Sequence, residues 1–207
     1  AGQDPVHPVL IALADTVRRF DLEPEPFRDL VTANLQDQRV RRYRTWPELQ
    51  DYCRHSAAPV GRVVLRLFGV RDPAADALSD DVCIGLQLAN FAQDVLVDAE
   101  KGRTYLLQGD VGELGAAGAV RRMCERAAGL LSSGRELERM LARRPRSQVM
   151  LYRLGGEAIL DAIRRIDYRT QERRPSVSLL TKARLLPVAL LSAGRDSPGP
   201  RGATGAA

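Results

Sequence analysis

Apolar residues recur at helical spacing along nearly all of the 207-residue chain, and almost no stretch alternates in the way a strand does. This periodicity predicts an all-α bundle of long helices. The predicted helices span residues 6–20, 26–38, 46 to about 68, 113–144 as one helix or two, 147 to about 169, and 176–191, and a further helix follows Ser79 and carries the segment from Gln87. We expect residues 1–192 to form one domain, and the tail 193–207 to be disordered because it contains few apolar residues.

Several residues predict where these helices begin, bend or end. Pro59 and Gly61 predict a kink in the helix from residue 46, and Ser79 is a suitable N-cap for the following helix. Pro145 is expected to close the helix or helix pair of residues 113–144. The Gly155–Gly156 pair predicts a soft break in the next helix.

A thin polar stripe marks the segment from Gln87 to Leu106. On a helix with 100° per residue, Gln87, Asn90, Asp94 and Asp98 fall within an arc of about 80°. Most other positions from 82 to 97 are apolar, so we expect a buried helix whose carboxylates face a cavity. Unpaired buried carboxylates cost several kcal/mol each, roughly, so they must find cations, protons or water. Oxygen ligands without His or Cys favour Mg²⁺, which takes one or two carboxylates plus substrate phosphates. The stripe therefore predicts half of a diphosphate–Mg²⁺ site.

The spacing alone is a weak signal, because the same chain repeats it elsewhere. Asp72, Asp76 and Asp80 also lie four residues apart, in the Pro-containing segment RDPAADALSDD. For these three residues we favour helix capping and solvated charges over a metal site. The apolar surroundings of Asp94 and Asp98, with Gln87 and Asn90 nearby, favour the metal site there.

A second set of residues lies on the helix that begins at Trp46. Tyr52 lies near Ser56, Pro59 and Val63 on the helical wheel. The small residues Ser56, Ala57, Ala58 and Gly61 either allow close helix packing, which we favour, or leave room for a ligand. A tyrosine hydroxyl facing such a cavity could donate to a diphosphate oxygen or to water.

Charge and composition exclude several classes of function. The net charge is +5 and the pI is near 9.5, with arginine spread over several segments. This pattern is typical of solvated helix faces, or of a protein that meets anionic substrates or membranes. Nucleic-acid binding is not expected, because no recognised motif accompanies the charge. Three cysteines and two histidines without metal spacing do not support a zinc site or a Ser/His/Asp triad.

Hydropathy indicates how the chain relates to membranes. No apolar run approaches the roughly 18 residues that a membrane span needs. We therefore expect a cytoplasmic protein that is at most peripheral, at the inner face of the membrane.

The two polar segments together resemble the squalene/phytoene synthase family. That family carries Y-C-x-x-x-A-x-x-V-G, then Q-L-x-N-x-x-x-D-V-x-x-D, then G-R-x-Y-L. This chain has YCRHSAAPVG at 52–61, QLANFAQDVLVD at 87–98 and GRTYL at 102–106. The similarity continues into RRPSVSLLTKARLL near the C-terminus and so covers nearly the whole chain. Pro59, Gln93 and the Gly155–Gly156 pair look most like the bacterial hydroxysqualene synthase branch.

The resemblance implies an isoprenoid-synthase-type bundle around a central apolar cavity, with Mg²⁺ as cofactor and a prenyl diphosphate as substrate. It implies that Asp94 and Asp98 bind Mg²⁺, with Asn90 and Gln87 in the same polar shell, and that Tyr52 lies near the reacting diphosphate. Arg103 would support the aspartates or form a structural salt bridge. Lys182 or Arg184 would reach the leaving group. The residues implied to line the prenyl cavity are Ala57, Val60, Val64 and Leu88.

The chain also departs from the family pattern. The family has a first Asp-rich motif on an early helix, and nothing equivalent precedes Tyr52. We therefore expect a domain that is N-terminally incomplete and whose remaining half-site is weakened. Gln93 stands where squalene and phytoene synthases often have Arg, and Gly156 stands near the position of a diphosphate-contacting Tyr in some relatives.

Three functions follow from these observations. The first is conversion of presqualene diphosphate to hydroxysqualene by ionisation and water capture. The second is head-to-head condensation of two prenyl diphosphates, giving presqualene diphosphate, squalene or phytoene. The third is a catalytically inactive helical scaffold or gene fragment, which the missing first motif favours.

Overall fold

A computed structural model describes residues 6–178 together with Ala183 and Pro187. Helices account for most of this part of the chain. Their bounds are α1 Pro8–Phe20, α2 Glu25–Asp37, α3 Trp46–Ser56, α4 Ala58–Leu67, α5 Pro73–Gln93, α6 Val95–Glu100, α7 Gln108–Ser132, α8 Gly134–Met140 and α9 Arg143–Arg164. The extended pairing within the described residues is one isolated parallel bridge between Arg42 and Thr104. The all-α prediction is confirmed.

Helix α5 lies at the centre of the bundle and contacts α3, α4, α7, α8 and α9. Its side chains Leu88, Ala89 and Ala92 have no exposed surface. Two glycines allow neighbouring helices to come close to it. A Cβ atom at Gly85 would lie 3.1 Å from the carbonyl oxygen of Ala127 in α7, and one at Gly61 in α4 would lie 2.6 Å from the sulfur of Cys83. Close packing is therefore the role of Gly61.

The apolar side chains form two cores. The larger one joins α3, α5 and α7 and takes in the turn residues Tyr105, Leu106 and Leu107. The smaller one lies between α4, α8 and α9, and its members are Leu65, Ala75, Leu137, Leu141 and Val149. The central helix α5 thus packs against different helices in each of the two cores.

The predicted kink in the helix from residue 46 is a full break. Helix α3 ends at Ser56, and Ala57 (φ −116°, ψ −50°) separates it from α4. The break lies two residues before Pro59, because proline has no N–H to continue the ladder and restricts the backbone before it.

The predicted start of the central helix is wrong. Helix α5 begins at Pro73 and is capped by Asp72, whose carboxylate accepts a 2.8 Å hydrogen bond from the N–H of Ala74. Ser79 lies two turns inside the helix. The combination of an Asp N-cap with Pro at the first helical position explains this earlier start.

The predictions for the later helices need two further corrections. Pro145 lies in the first turn of α9 and does not close the preceding helix, because the first turn needs no N–H from proline. Helix α9 runs through Gly155 and Gly156 without a break. A change of direction occurs earlier, at Gly115 in α7, where φ is +69°.

The C-terminal predictions fall largely outside the described residues. Residues 176–178 are not helical, and the rest of the predicted helix 176–191 and the tail 193–207 lie beyond the described part, apart from Ala183 and Pro187. Among the described helices, none combines the length and apolarity needed to cross a bilayer.

Candidate functional site

The polar stripe lies where the central helix ends. Helix α5 stops at Gln93, Asp94 (φ −99°, ψ 18°) breaks the helical geometry, and α6 starts at Val95. The side chain of Asp94 is 29% exposed. Gln87 is half-buried and Asn90 is exposed. The stripe therefore spans two helices, and the bend at Asp94 sets the direction of the second carboxylate.

Asp98 is a half-buried carboxylate that none of the described residues pairs with at ion-pair distance. Burial raises the pKa of Asp98, and the neighbouring charge of Asp94 raises it further. Lys101 and Arg103 lower the pKa but do not cancel the rise. Such a carboxylate gains free energy from an added cation.

Asp94 already has a cation beside it. Nε of Arg174 lies 2.5 Å from Oδ1 of Asp94, across 80 residues of chain. This hydrogen bond, more than any other contact, raises the pKa of Arg174. The backbone next to Arg174 is also held, because the buried Gln93 side chain donates a 2.9 Å hydrogen bond to the carbonyl of Pro175. Gln93 and Asp94 thus fix residues 174–175 against the end of α5.

Tyr52 is 4% exposed and belongs to a cluster of aromatic rings. Its ring centroid lies 5.4 Å from that of Tyr43 and 5.9 Å from that of Tyr105, and Phe91 stacks on Tyr105 at 3.8 Å. Burial, followed by the fields of Tyr105 and Asp37, raises the pKa of Tyr52. The phenol stays protonated at neutral pH and is available as a donor.

Asp37 joins this cluster to the polar segment after α6. The hydroxyl of Tyr105 donates a 3.3 Å hydrogen bond to Oδ1 of Asp37, and Nη1 of Arg103 lies 3.6 Å from Oδ2. Arg103 therefore forms a salt bridge with Asp37, while its field also reaches Asp98. The structural salt bridge considered for Arg103 is thus present, with Asp37 as its partner, and support of Asp94 and Asp98 by Arg103 stays a prediction.

Two apolar cavities lie along α5, one beside its C-terminal end and one beside its middle part. The near cavity, of about 380 Å³, is bordered by Gln93, Gly155, Gly156 and Arg174. The far cavity, of about 300 Å³, is lined by residues of α4, α5, α8 and α9. Leu86 and Tyr152 belong to the linings of both. The bundle thus encloses apolar space next to the charged residues Arg174 and Asp94.

The predicted cavity residues divide into two groups. Val60 and Val64 line the far cavity. Ala57 and Leu88 are buried in the protein and do not contribute to the lining of either cavity. Lys182 and Arg184 lie outside the described residues.

Sequence reasoning missed Asp37 and Arg174. Asp37 is the last residue of α2 and reaches the site through contacts with residues more than 60 positions away. Arg174 stands among other arginines in QERRPSVS, and the sequence does not distinguish it from Arg173. Its position before a proline, close to the family-like segment, was the available signal.

The described residues contain no group of three or more His, Cys, Asp or Glu side chains that could by itself hold a metal ion. The donors present nevertheless fit Mg²⁺ with a phosphate ligand, because such sites use one or two carboxylates. The two candidate carboxylates lie one turn apart, with Asp98 N–H donating to the carbonyl of Asp94 at 2.8 Å. Desolvated Asp98 would gain most from the cation.

Comparison with known proteins identifies the family. The squalene/phytoene synthase family model matches residues 1–181. The chain belongs to the squalene/phytoene synthase family. Squalene synthase HpnC from Alicyclobacillus acidocaldarius has a solved structure that is 41% identical, with a TM-score of 0.76 over 79% of this chain and 67% of that chain.

Other family members are similar at lower identity. Chloroplastic phytoene synthase 3 of Zea mays is 33% identical over 87% of this chain and 47% of its own length. Chloroplastic phytoene synthase 2 of Solanum lycopersicum is 32% identical over 86% of this chain and 64% of its own length. The chain thus spans about half to two thirds of these relatives. A dehydrosqualene synthase structure at 21% identity shares the fold, with a TM-score of 0.80 over 91% of this chain and 71% of that chain.

Proposed function

We propose that this protein carries out Mg²⁺-dependent prenyl diphosphate chemistry, converting presqualene diphosphate to hydroxysqualene. The observation that carries the proposal is the bend at Asp94, where two carboxylates and Arg174 lie beside apolar cavities. A prenyl diphosphate has this same division between an anionic head and an apolar tail. The 41% identity to a squalene synthase named HpnC supports the squalene branch.

Each part of the site has a role in this proposal. Asp94 and Asp98, with Asn90 beside them, would hold the metal, and Mg²⁺ when bound would neutralise charge on the leaving diphosphate. Arg174 would change partner from Asp94 to a diphosphate oxygen, because a guanidinium binds both groups well. Tyr52, kept protonated by burial, would donate a hydrogen bond and position Asp37 and Tyr105 around the head group.

Ionisation followed by water capture accounts for every atom and electron pair of the reaction. The C–O bond of presqualene diphosphate breaks, and the diphosphate leaves with the electron pair. The carbocation rearranges in the apolar cavity, which excludes bulk water. One water then adds its oxygen to the cation and loses a proton, giving hydroxysqualene.

A second candidate is head-to-head condensation of two prenyl diphosphates. The phytoene synthases that are 29–33% identical over at least 86% of this chain favour it. The same carboxylates and cavity serve both reactions, so the geometry of the site does not choose between them.

Product analysis by gas chromatography–mass spectrometry separates these candidates. The 207-residue chain, and any longer product of its gene, are incubated with Mg²⁺ and presqualene, farnesyl or geranylgeranyl diphosphate. We expect hydroxysqualene from presqualene diphosphate, and its loss in Asp94→Ala. Asp80→Ala is the matched control, since Asp80 belongs to the aspartates of the N-terminal half of α5 and pairs with Arg62.

Other outcomes overturn the proposal. Presqualene diphosphate, squalene or phytoene formed from farnesyl or geranylgeranyl diphosphate would establish the second candidate. A well-folded full-length protein that consumes none of the three substrates would favour a non-catalytic scaffold.

A further inference from the structure

The two cavities differ in polarity, although they share a wall. Arg174 and Gln93 border the near cavity, and Arg174 bonds to Asp94. None of the described residues that line the far cavity is charged, and its lining includes Leu65, Leu137 and Val149 of the smaller core. An elongated ligand with an anionic head and an apolar tail matches this order from charged to apolar.

The shared wall consists of two side chains. Leu86 in α5 and Tyr152 in α9 line both cavities and stand between them. Leu86 packs closely against α9, because a Cβ atom at Gly156 would lie 2.8 Å from Cδ2 of Leu86. Gly156 thus has a packing reason to be glycine.

Close packing does not require glycine at position 155. A Cβ atom built on it meets no atom of the described residues within 4 Å, and the residue lines the near cavity. Glycine inside a helix costs about 0.5–1 kcal/mol relative to alanine. Because residue 155 is glycine, the near cavity stays open between Arg174 and the wall formed by Leu86 and Tyr152.

We propose that the near and far cavities form one path for a prenyl tail, that the open space at Gly155 admits every tail to the near cavity, and that Leu86 and Tyr152 are the constriction that a long tail must pass. The proposal rests on the proposed function and assigns Leu86 and Tyr152 as determinants of tail length. A short tail ends in the near cavity, whereas a long tail passes Leu86 and reaches Cys83 and Val64 in the far cavity.

Cys83 provides a measure of tail length in the unaltered protein. Its thiol lines the far cavity, whereas Cys53 and Cys124 are buried in the larger core and serve as internal references. Geranyl, farnesyl and geranylgeranyl monophosphate are bound in turn, and modification of each cysteine by methyl methanethiosulfonate is followed by mass spectrometry. The reaction is run in alkaline solution, because burial raises the pKa of Cys83 to about 11.

We expect the two longer tails to slow modification of Cys83 and the geranyl tail to leave it unchanged. At a ligand concentration of about ten times the Kd, occupancy predicts a roughly tenfold slower reaction. Equal protection by all three tails, or protection by none of them despite binding, would overturn the proposal.

Substitutions test the path independently of thiol chemistry. Gly155→Val fills the near cavity and is expected to weaken binding of all three probes, measured by calorimetry. Gly129→Val is the matched control, because Gly129 also has open space around it but lies on an exposed part of α7. Val64→Phe fills the far cavity and should weaken geranylgeranyl binding while leaving geranyl binding intact.

The results separate this inference from the proposed function. If no probe binds the wild-type protein, the proposed function and the path both fail. If the probes bind but Gly155→Val weakens none of them, or Val64→Phe affects all tail lengths alike or none, the proposed function stands and the path is wrong.

Discussion

The two ends of helix α5 carry aspartates at the same four-residue spacing, and the structure treats them differently. At the first end, Asp72 caps the helix. One turn on, Asp76 bonds to both Nη atoms of Arg66, and Asp80 pairs with Arg62. Asp72 and Asp76 also lie at the first turn of the helix, where the helix dipole favours negative charge. The capping role predicted for this series is confirmed for Asp72, whereas the prediction of solvated charges is wrong for Asp76 and Asp80, which are 18% exposed and paired with arginines.

The other end of α5 lacks the dipole advantage, and of its two carboxylates Asp94 alone has an ion-pair partner among the described residues. Asp94 lies at the C-terminus of the helix, where the dipole disfavours a carboxylate, and it pairs with an arginine from a distant part of the chain. Asp98 has a raised pKa and no ion-pair partner among the described residues. Spacing is therefore shared by both ends, and the difference lies in whether each charge is compensated within the fold.

The largest expected effect concerns turnover. Asp98→Asn should lower the rate of prenyl diphosphate consumption about 100-fold or more, the usual size for losing one preorganised group that stabilises developing charge. Asp80→Asn should leave the rate unchanged. The measurement is the steady-state rate of diphosphate release by the full-length protein, and equal losses in both variants would remove the distinction between the two ends.

The next effect concerns stability, and we expect it at the N-terminal end of α5 rather than at the end that carries Asp98. Asp76→Ala leaves Arg66, whose side chain is 12% exposed, without its main partner. We expect it to lower the free energy of unfolding by about 1.5–3 kcal/mol, the usual contribution of hydrogen bonds to a charged group. Urea unfolding followed by circular dichroism gives the value, and an unchanged midpoint would contradict the structural role of the first series.

A smaller loss is expected at the helix cap. Asp72→Ala should lower the free energy of unfolding by about 1 kcal/mol, because it removes the acceptor for the N–H of Ala74. Asp72→Ser keeps an acceptor and is the control, which should recover most of the stability. Equal behaviour of the alanine and serine variants would show that the cap has no measurable effect.

The smallest effect is the pH dependence of stability at Asp98. Its pKa is raised in the folded protein, so the native state binds more protons than the unfolded state between the ordinary value near 4 and the raised value. This group's contribution to stability therefore falls as pH rises through that window. In EDTA, Asp98→Asn should have a Tm slightly above that of the wild type on the alkaline side, and a lower Tm there would refute uncompensated burial.

The sequence predicted what depends on local periodicity. The helical fold, the stripe around Asp94 and Asp98, and the capping role of Asp72 follow from spacing and neighbouring residue types, whereas the arginine partners of Asp76 and Asp80 do not. The breaks at Ala57 and Asp94 were harder to predict, because each depends on the backbone angles of one residue. Asp37 and Arg174 could not be placed, since their contacts join residues that are 68 and 80 positions apart.

Helix α1 packs much less tightly on the bundle than the central helix α5 does. None of its residues is buried, and Val9, Leu10 and Ile11 are at least half exposed. Its C-terminal end is held by Arg71, which donates hydrogen bonds to the carbonyls of Phe20 and Asp21. Amide hydrogens in α1 should therefore exchange through local opening, long before those of α5, and a protease should cut there first.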